Sequence, residues 1–180
     1  AQGIGRYEIY QNSRQVGRSS FELIALGQNM QLSSETELSE DGKAIEYAEE
    51  GLLDNQMHPL SYKLTRREPN SVVTVSSEFM DGKAELTGAS GLSTMKKSLD
   101  FPADGHVFSR FMPVNVWMVV KNYDFNFIST ARVPVLIPMQ QQVDELVLNK
   151  MGEEKIDGQR FFRLEGKVGT EDIVVLVRKS

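Results

Sequence analysis

The sequence predicts a mainly β protein, built as a single strongly curved antiparallel sheet of about ten strands, a half-barrel or open barrel. Runs of alternating apolar and polar residues are separated by Asp-Gly pairs, which favour type I′ hairpins because both central residues of that turn need a positive φ. Hairpins pair consecutive strands, and a sheet of this size curls because a flat one leaves long open edges. The four pairs are Asp41-Gly42, Asp81-Gly82, Asp104-Gly105 and Asp157-Gly158.

Period-two alternation predicts the strands of the first half of the chain. They are expected at 6–12, 21–25, 30–38, 43–50, 60–65, 72–75, 83–87 and 95–101. Residues 51–59 interrupt the alternation and predict a loop or a short helical turn. Gly88-Ala89-Ser90-Gly91 predicts a further break between strands.

The periodicity changes between residues 105 and 125, where a helical segment is expected on the concave side of the sheet. Met112 is disfavoured in α geometry because Pro113 follows it, so the segment is either two short helices or one that begins near Pro113. The β-branched residues of 114–120 leave a strand as the alternative. Four more strands are expected at 127–138, 142–151, 159–168 and 171–178, and the whole chain, 1–180, is expected to form one domain.

Composition excludes several classes of protein. The net charge of −5 and a pI near 5.2 argue against nucleic-acid binding, which normally requires a basic surface. The absence of cysteine excludes disulfides, thiolate zinc sites and cysteine nucleophiles. No apolar run reaches the ~20 residues of a transmembrane helix.

The chain begins Ala1-Gln2-Gly3, without an initiator methionine. This start is interpreted as the product of signal-peptide cleavage after a small-residue site, with a tag remnant as the alternative. Signal cleavage predicts a periplasmic or secreted bacterial protein.

Catalytic and metal-binding patterns are weak in this sequence. His58 and His106 are the two histidines, their spacing matches no metal motif, and each is expected at the surface or at a helix end. The acidic pairs fall in polar sequence and are expected on solvated faces: Glu35 with Glu37, Glu49-Glu50, Glu153-Glu154 and Glu171-Asp172. The sequence therefore predicts a non-enzymatic protein with no metal and no cofactor.

Apolar and aromatic residues are concentrated between residues 108 and 125, around the single tryptophan. Aromatic rings and adaptable methionines suit a pocket for an apolar ligand, although ordinary packing of a helix on a sheet explains the cluster equally well. A partner-binding surface is a third interpretation. The candidate ligand-binding residues are Phe108, Phe111, Met112, Trp117 and Met118.

Several dispersed features of the sequence carry a family resemblance. They are Tyr7-x-Ile9, Val16-Gly17 with Leu23, Phe108-Ser109-Arg110-Phe111, Gly152 to Gly158, and the strand Phe161 to Glu165. Together they resemble a family of secreted bacterial domains of unknown function. The resemblance implies an architecture similar to the half-barrel of bacterial lipoprotein-localisation factors, in which helical segments plug a curved antiparallel sheet.

The chain departs from this family at two points. Such proteins usually have a further strand after the position of Ser180. They also have a glycine between the helix and the next strand, which is absent here, with Pro134 and Pro138 nearby instead.

Two functions follow as expectations. One is a non-enzymatic envelope protein that binds an apolar or lipid-like ligand on the concave face of its sheet. The alternative is a structural or protein-interaction module of the bacterial cell envelope, with an envelope protein as its partner and no small-molecule ligand.

Overall fold

The computed structural model describes residues 3–11, 14–40 and 42–178 of the chain. The protein is mainly β, as predicted, but its strands form two sheets, so the expectation of a single sheet of about ten strands is wrong. The predictions for the chain start and for the first Asp-Gly turn concern Ala1, Gln2 and Asp41. These residues lie outside the described ones, as do residues 12–13.

The larger sheet is an eight-stranded antiparallel meander in which each strand pairs with the next. Its inward side chains alternate with outward ones, as the period-two pattern predicted. The strands are β1 (Gly3–Gln11), β2 (Arg14–Leu26), β3 (Asn29–Glu40), β4 (Lys43–Leu53), β5 (Pro59–Glu68), β6 (Ser71–Met80), β7 (Lys83–Ser90) and β8 (Ser93–Asp100).

The smaller sheet has five strands and curves as a half-barrel. Its elements are β9 (His106–Val107), β10 (Thr130–Ile137), β11 (Gln142–Ile156), β12 (Gln159–Val168) and β13 (Glu171–Arg178), in the spatial order β13-β12-β11-β10-β9. The helix α1 (Pro113–Lys121) connects β9 to β10, which run parallel to each other. The prediction of a wholly antiparallel sheet is therefore also wrong at this edge, where a helical crossover replaces a hairpin.

Two of the Asp-Gly pairs form the expected turns. Asp81 and Gly82 have φ values of 53° and 74°, and Asp157 and Gly158 have 49° and 82°, as a type I′ turn requires. The break predicted at residues 88–91 is confirmed at Gly91, where φ is 57°, whereas Gly88 to Ser90 belong to β7.

Asp104-Gly105 does not form a hairpin, because it connects β8 of the larger sheet to β9 of the smaller one. The backbone N–H of Gly105 donates to the carbonyl of Pro102 at 2.9 Å. A Cβ at Gly105 would lie 2.5 Å from the Phe101 ring, so this glycine allows a close approach of backbone and ring.

The helix lies between the two sheets and contributes to the core of each. Val114 and Met118 pack with apolar residues of β2–β4, whereas Val119 and Val120 pack with residues of the smaller sheet. The helical segment predicted within 105–125 is confirmed as one helix that begins at Pro113, and the strand alternative for 114–120 is wrong.

Candidate functional site

The five residues predicted to bind a ligand occupy three environments. Trp117 and Met118 pack in the core of the larger sheet, with the Trp117 ring 5.6 Å from that of Phe21. Met112 is fully buried, and its Sδ lies 3.3 Å from the hydroxyl of Thr36. Phe108 and Phe111 line a common cleft. Ligand binding by the five residues stays a prediction.

This cleft opens between the two sheets and has a volume of about 430 Å³. Its walls come from β4 and β5 of the larger sheet, from the segment that leads into α1, and from two turns of the smaller sheet. The lining residues are Tyr47, Arg66, Gln142 and the segments 108–111, 137–140 and 168–171.

The pairing register of β4 and β5 explains how the larger sheet forms its wall of the cleft. Tyr47 and Arg66 are directly paired on the antiparallel strands β4 and β5, so their side chains share one face. Tyr47 also contacts Phe111, with ring centroids 6.2 Å apart. The opposite wall contains the turn between β12 and β13, where Gly169 has a φ of 54°.

Charged groups border the cleft beside its aromatic rings. Arg110 Nε lies 3.1 Å from Glu171 Oε2, and the Arg110 guanidinium sits 4.9 Å from the centroid of the Phe111 ring. Arg66 forms an ion pair with Glu68 through a terminal nitrogen, whereas its Nε is buried and has no hydrogen-bond partner. Apolar surface and cationic donors thus occur together in this cleft.

A second polar feature lies beneath α1, on the buried face of the larger sheet. Four adjacent strands each contribute one polar side chain, and the register pairs Ser34 with Glu49 and Tyr62 with Ser77. From α1, the Asn115 amide donates to Glu49 Oε1 at 2.5 Å, which joins the helix to the sheet. We call Ser34, Glu49, Tyr62, Ser77 and Asn115 the buried polar row.

Glu49 is only 1% exposed, so the expectation that its acidic pair is solvated is wrong for this residue. Burial raises the pKa of Glu49 to about 7, and the neighbouring Tyr62, Asn115 and Ser34 oppose that rise. Glu49 Oε2 and the hydroxyls of Ser34 and Tyr62 nevertheless make no hydrogen bond of regular geometry. The signal was present in the sequence, because Glu49 shares its strand face with Ile45 and Leu53.

The two histidines lie side by side. His106 belongs to β9, where the crossover through α1 begins, and His58 lies in the loop after β4. His106 is buried, which contradicts its predicted surface position, and its ring centroid lies 5.1 Å from that of His58. Burial, followed by the charge of His58, lowers the pKa of His106 to about 4. His58 Nδ1 lies 3.2 Å from Asp54 Oδ2, and the Asn122 amide lies 3.4 Å from His106 Nε2.

No group of three or more potential metal ligands occurs within 3–11, 14–40 and 42–178. In the same part of the chain, no helix is both long and apolar enough to cross a membrane. Comparisons with protein-family models, with curated proteins and with solved structures find no match to this chain.

Proposed function

We propose that this protein binds an apolar or lipid-like ligand in the cleft between its sheets and does not transform it chemically. The observation that carries this proposal is the cleft itself, whose volume of about 430 Å³ falls within the roughly 300–1,000 Å³ of small-molecule pockets. Phe108, Phe111 and Met139 supply its apolar surface. Phe111 is only half-buried, so a ligand can contact its ring without displacing core residues.

The positions of the perturbed acids and bases support the non-enzymatic part of the proposal. Catalytic groups usually combine a shifted pKa with a place in the substrate cleft. Glu49 and His106 have shifted pKa values, but neither lines the cleft. Glu49 instead contacts Asn115, and His106 contacts His58 and Asn122.

We also propose a periplasmic or secreted location and a relationship to the lipoprotein-localisation factors. The resemblance of the sequence features and the half-barrel curvature of the smaller sheet support this relationship. Such a relationship would suit a protein that handles a lipid-like molecule in the bacterial envelope.

The alternative function is a protein-interaction module of the envelope, and β13 is the observation that favours it. This strand lies at the edge of the smaller sheet, and its outward face carries Val174 and Leu176, which are 59% and 41% exposed. An exposed apolar edge strand can pair with a strand of another protein.

Titration with N-phenylnaphthylamine, a neutral apolar fluorophore, tests ligand binding. We expect saturable fluorescence enhancement near one equivalent, because the cleft between the sheets would hold one probe molecule. Phe111→Ala should weaken binding roughly tenfold, since it removes a large apolar contact.

Phe127→Ala is the matched control, because Phe127 is 88% exposed and does not line the cleft. It should leave the affinity unchanged. A wild-type protein that shows no saturable binding would overturn the proposed function, and so would equal affinities for the wild type and Phe111→Ala. An envelope protein captured through β13, and lost with Val174→Lys, would then support the alternative.

A further inference from the structure

The cleft contains two guanidinium groups in an acidic protein. Among the described residues that line it, Arg66 and Arg110 are cationic and Glu171 is acidic, whereas the whole chain has a formal charge of −5. Each arginine pairs with a carboxylate, Arg66 with Glu68 and Arg110 with Glu171, so these charges balance. An anion is favoured there by the guanidinium N–H groups that the two pairs do not use.

Arg66 presents a donor that the protein itself does not satisfy. Its terminal nitrogen is engaged by Glu68, but the Nε–H is buried without a hydrogen-bond acceptor. A buried donor without an acceptor is unfavourable, and most such groups in folded proteins have a partner. Because protein atoms enclose that Nε, a ligand oxygen would bond instead to the terminal N–H groups of Arg66, whose side chain is 36% exposed and lines the cleft.

Arg110 places a second guanidinium at the cleft, from the segment before α1. Its side chain is 53% exposed, and it is oriented by Glu171 on one side and by the ring of Phe111 on the other. A guanidinium carries five N–H donors in a planar fork that matches carboxylate and phosphate oxygens. The pair with Glu171 leaves donors for a ligand.

Resting on the proposed function, we propose that the ligand is a single-chain amphiphile with an anionic headgroup. The headgroup oxygens accept hydrogen bonds from Arg66 and Arg110, and the chain contacts Phe111, Phe108 and Met139. A single chain is favoured because the cleft is near the small end of the range for ligand pockets.

Calorimetric titration of the full chain with three ligands of equal chain length tests the headgroup. The ligands are decanoate, decanol and decyltrimethylammonium, each kept below its aggregation concentration at neutral pH. We expect decanoate to bind about tenfold or more tightly than decanol, because hydrogen bonds to charged groups are strong. The cation should bind most weakly, and added salt should weaken decanoate binding most.

Arginine variants test whether the preference for decanoate over decanol arises in the cleft. Arg66→Gln and Arg110→Gln should each reduce decanoate affinity about tenfold and leave decanol affinity unchanged. Arg132→Gln is the matched control, because Arg132 pairs with Glu145 at 2.7 Å and does not line the cleft. It should affect neither ligand. Thermal unfolding of each variant checks that the fold is retained.

The outcomes separate this inference from the proposed function. If decanol binds as tightly as decanoate, or if the cation binds best, the headgroup inference is overturned and apolar binding stands. The same holds if decanoate affinity is unaffected by both cleft variants. If neither decanoate, decanol nor N-phenylnaphthylamine binds, both proposals fail together.

Discussion

Glu49 is buried although the acidic residue next to it in the sequence is exposed. Its neighbour Glu50 points outward and forms an ion pair with Lys63 at 3.4 Å, whereas Glu49 faces α1 and accepts a hydrogen bond from Asn115. Burial of the ionised carboxyl is unfavourable, which is why its pKa rises to about 7.

This raised pKa predicts a specific dependence of stability on pH. The folded state holds the Glu49 proton up to about pH 7, whereas the unfolded state releases it near the ordinary value of 4.5. The contribution of Glu49 to stability is thus fully present below the unfolded pKa and is lost as the pH rises from there to about 7. The loss amounts to about 3 kcal/mol at most.

Glu49→Gln should abolish this component, because glutamine keeps an acceptor for Asn115 and carries no charge. Chemical denaturation across the pH range should show the variant gaining stability relative to the wild type between about pH 4.5 and 7. Glu50→Gln is the adjacent surface control and should give no such gain. Parallel pH profiles for the wild type and Glu49→Gln would contradict the prediction.

At the residue scale, the sequence predicted exposure where it follows from alternation along a strand. It failed where exposure depends on contacts between residues that are distant in the chain. The exposed position of Glu50 was predicted, whereas β4 continues to the buried Leu53 within the segment 51–59 that was expected to be a loop or a short helical turn. The contact between Glu49 and Asn115 joins residues 66 positions apart, so no local pattern could identify it. His106 was misplaced for the same reason, because its buried ring packs beside that of His58, which is distant in the sequence.

At the scale of elements, turn chemistry and periodicity located the last two strands and the start of the helix. β12 and β13 occupy the predicted ranges 159–168 and 171–178, and α1 begins at Pro113, as the single-helix alternative predicted. The Asp104-Gly105 pair gave a wrong prediction, because Asp-Gly also occurs where a chain passes between sheets. Gly105 differs from the hairpin glycines in its close tertiary contact with the Phe101 ring.

Gly105→Ala tests that contact. The new methyl group would meet the Phe101 ring at 2.5 Å, so we expect a loss of about 1–3 kcal/mol in the free energy of unfolding, as for other overpacked sites. The measurement is urea denaturation followed by circular dichroism. Gly152→Ala is the matched control, because a methyl group at Gly152 would have no atom within 4 Å and the φ of this residue is not positive. Equal stabilities for the two variants would contradict the assigned role of Gly105.

At the scale of the whole molecule, the sequence predicted the dominance of β structure but not its division into two sheets. The meander of the first eight strands follows from local hairpins. The division falls between β8 and β9, and the smaller sheet then continues through the β9–α1–β10 crossover, whose parallel pairing joins residues about 30 positions apart. The cleft lies between the sheets, so its residues could not be grouped from sequence alone. Phe108 and Phe111 were identified only because they belong to an aromatic segment.

A shared core predicts that the two sheets unfold together. Leu136 of β10 is fully buried and packs with Val75, Ala84 and Leu86 of the larger sheet, while α1 contributes to the cores of both sheets. Neither sheet therefore buries its apolar face alone. We expect one cooperative unfolding transition, with coincident curves for Trp117 fluorescence, which reports on the larger-sheet core, and for far-ultraviolet circular dichroism.

Leu136→Ala tests this coupling directly. Truncation of this buried leucine should cost about 2–5 kcal/mol, because it leaves a cavity at the junction of the sheets. Since the residue belongs to β10 but packs on β6 and β7, both probes should shift to lower denaturant by the same amount. Leu176→Ala, at an exposed position on β13, should shift neither probe appreciably. A Leu136→Ala protein whose circular dichroism shifts while Trp117 fluorescence keeps its wild-type midpoint would show that the sheets unfold independently.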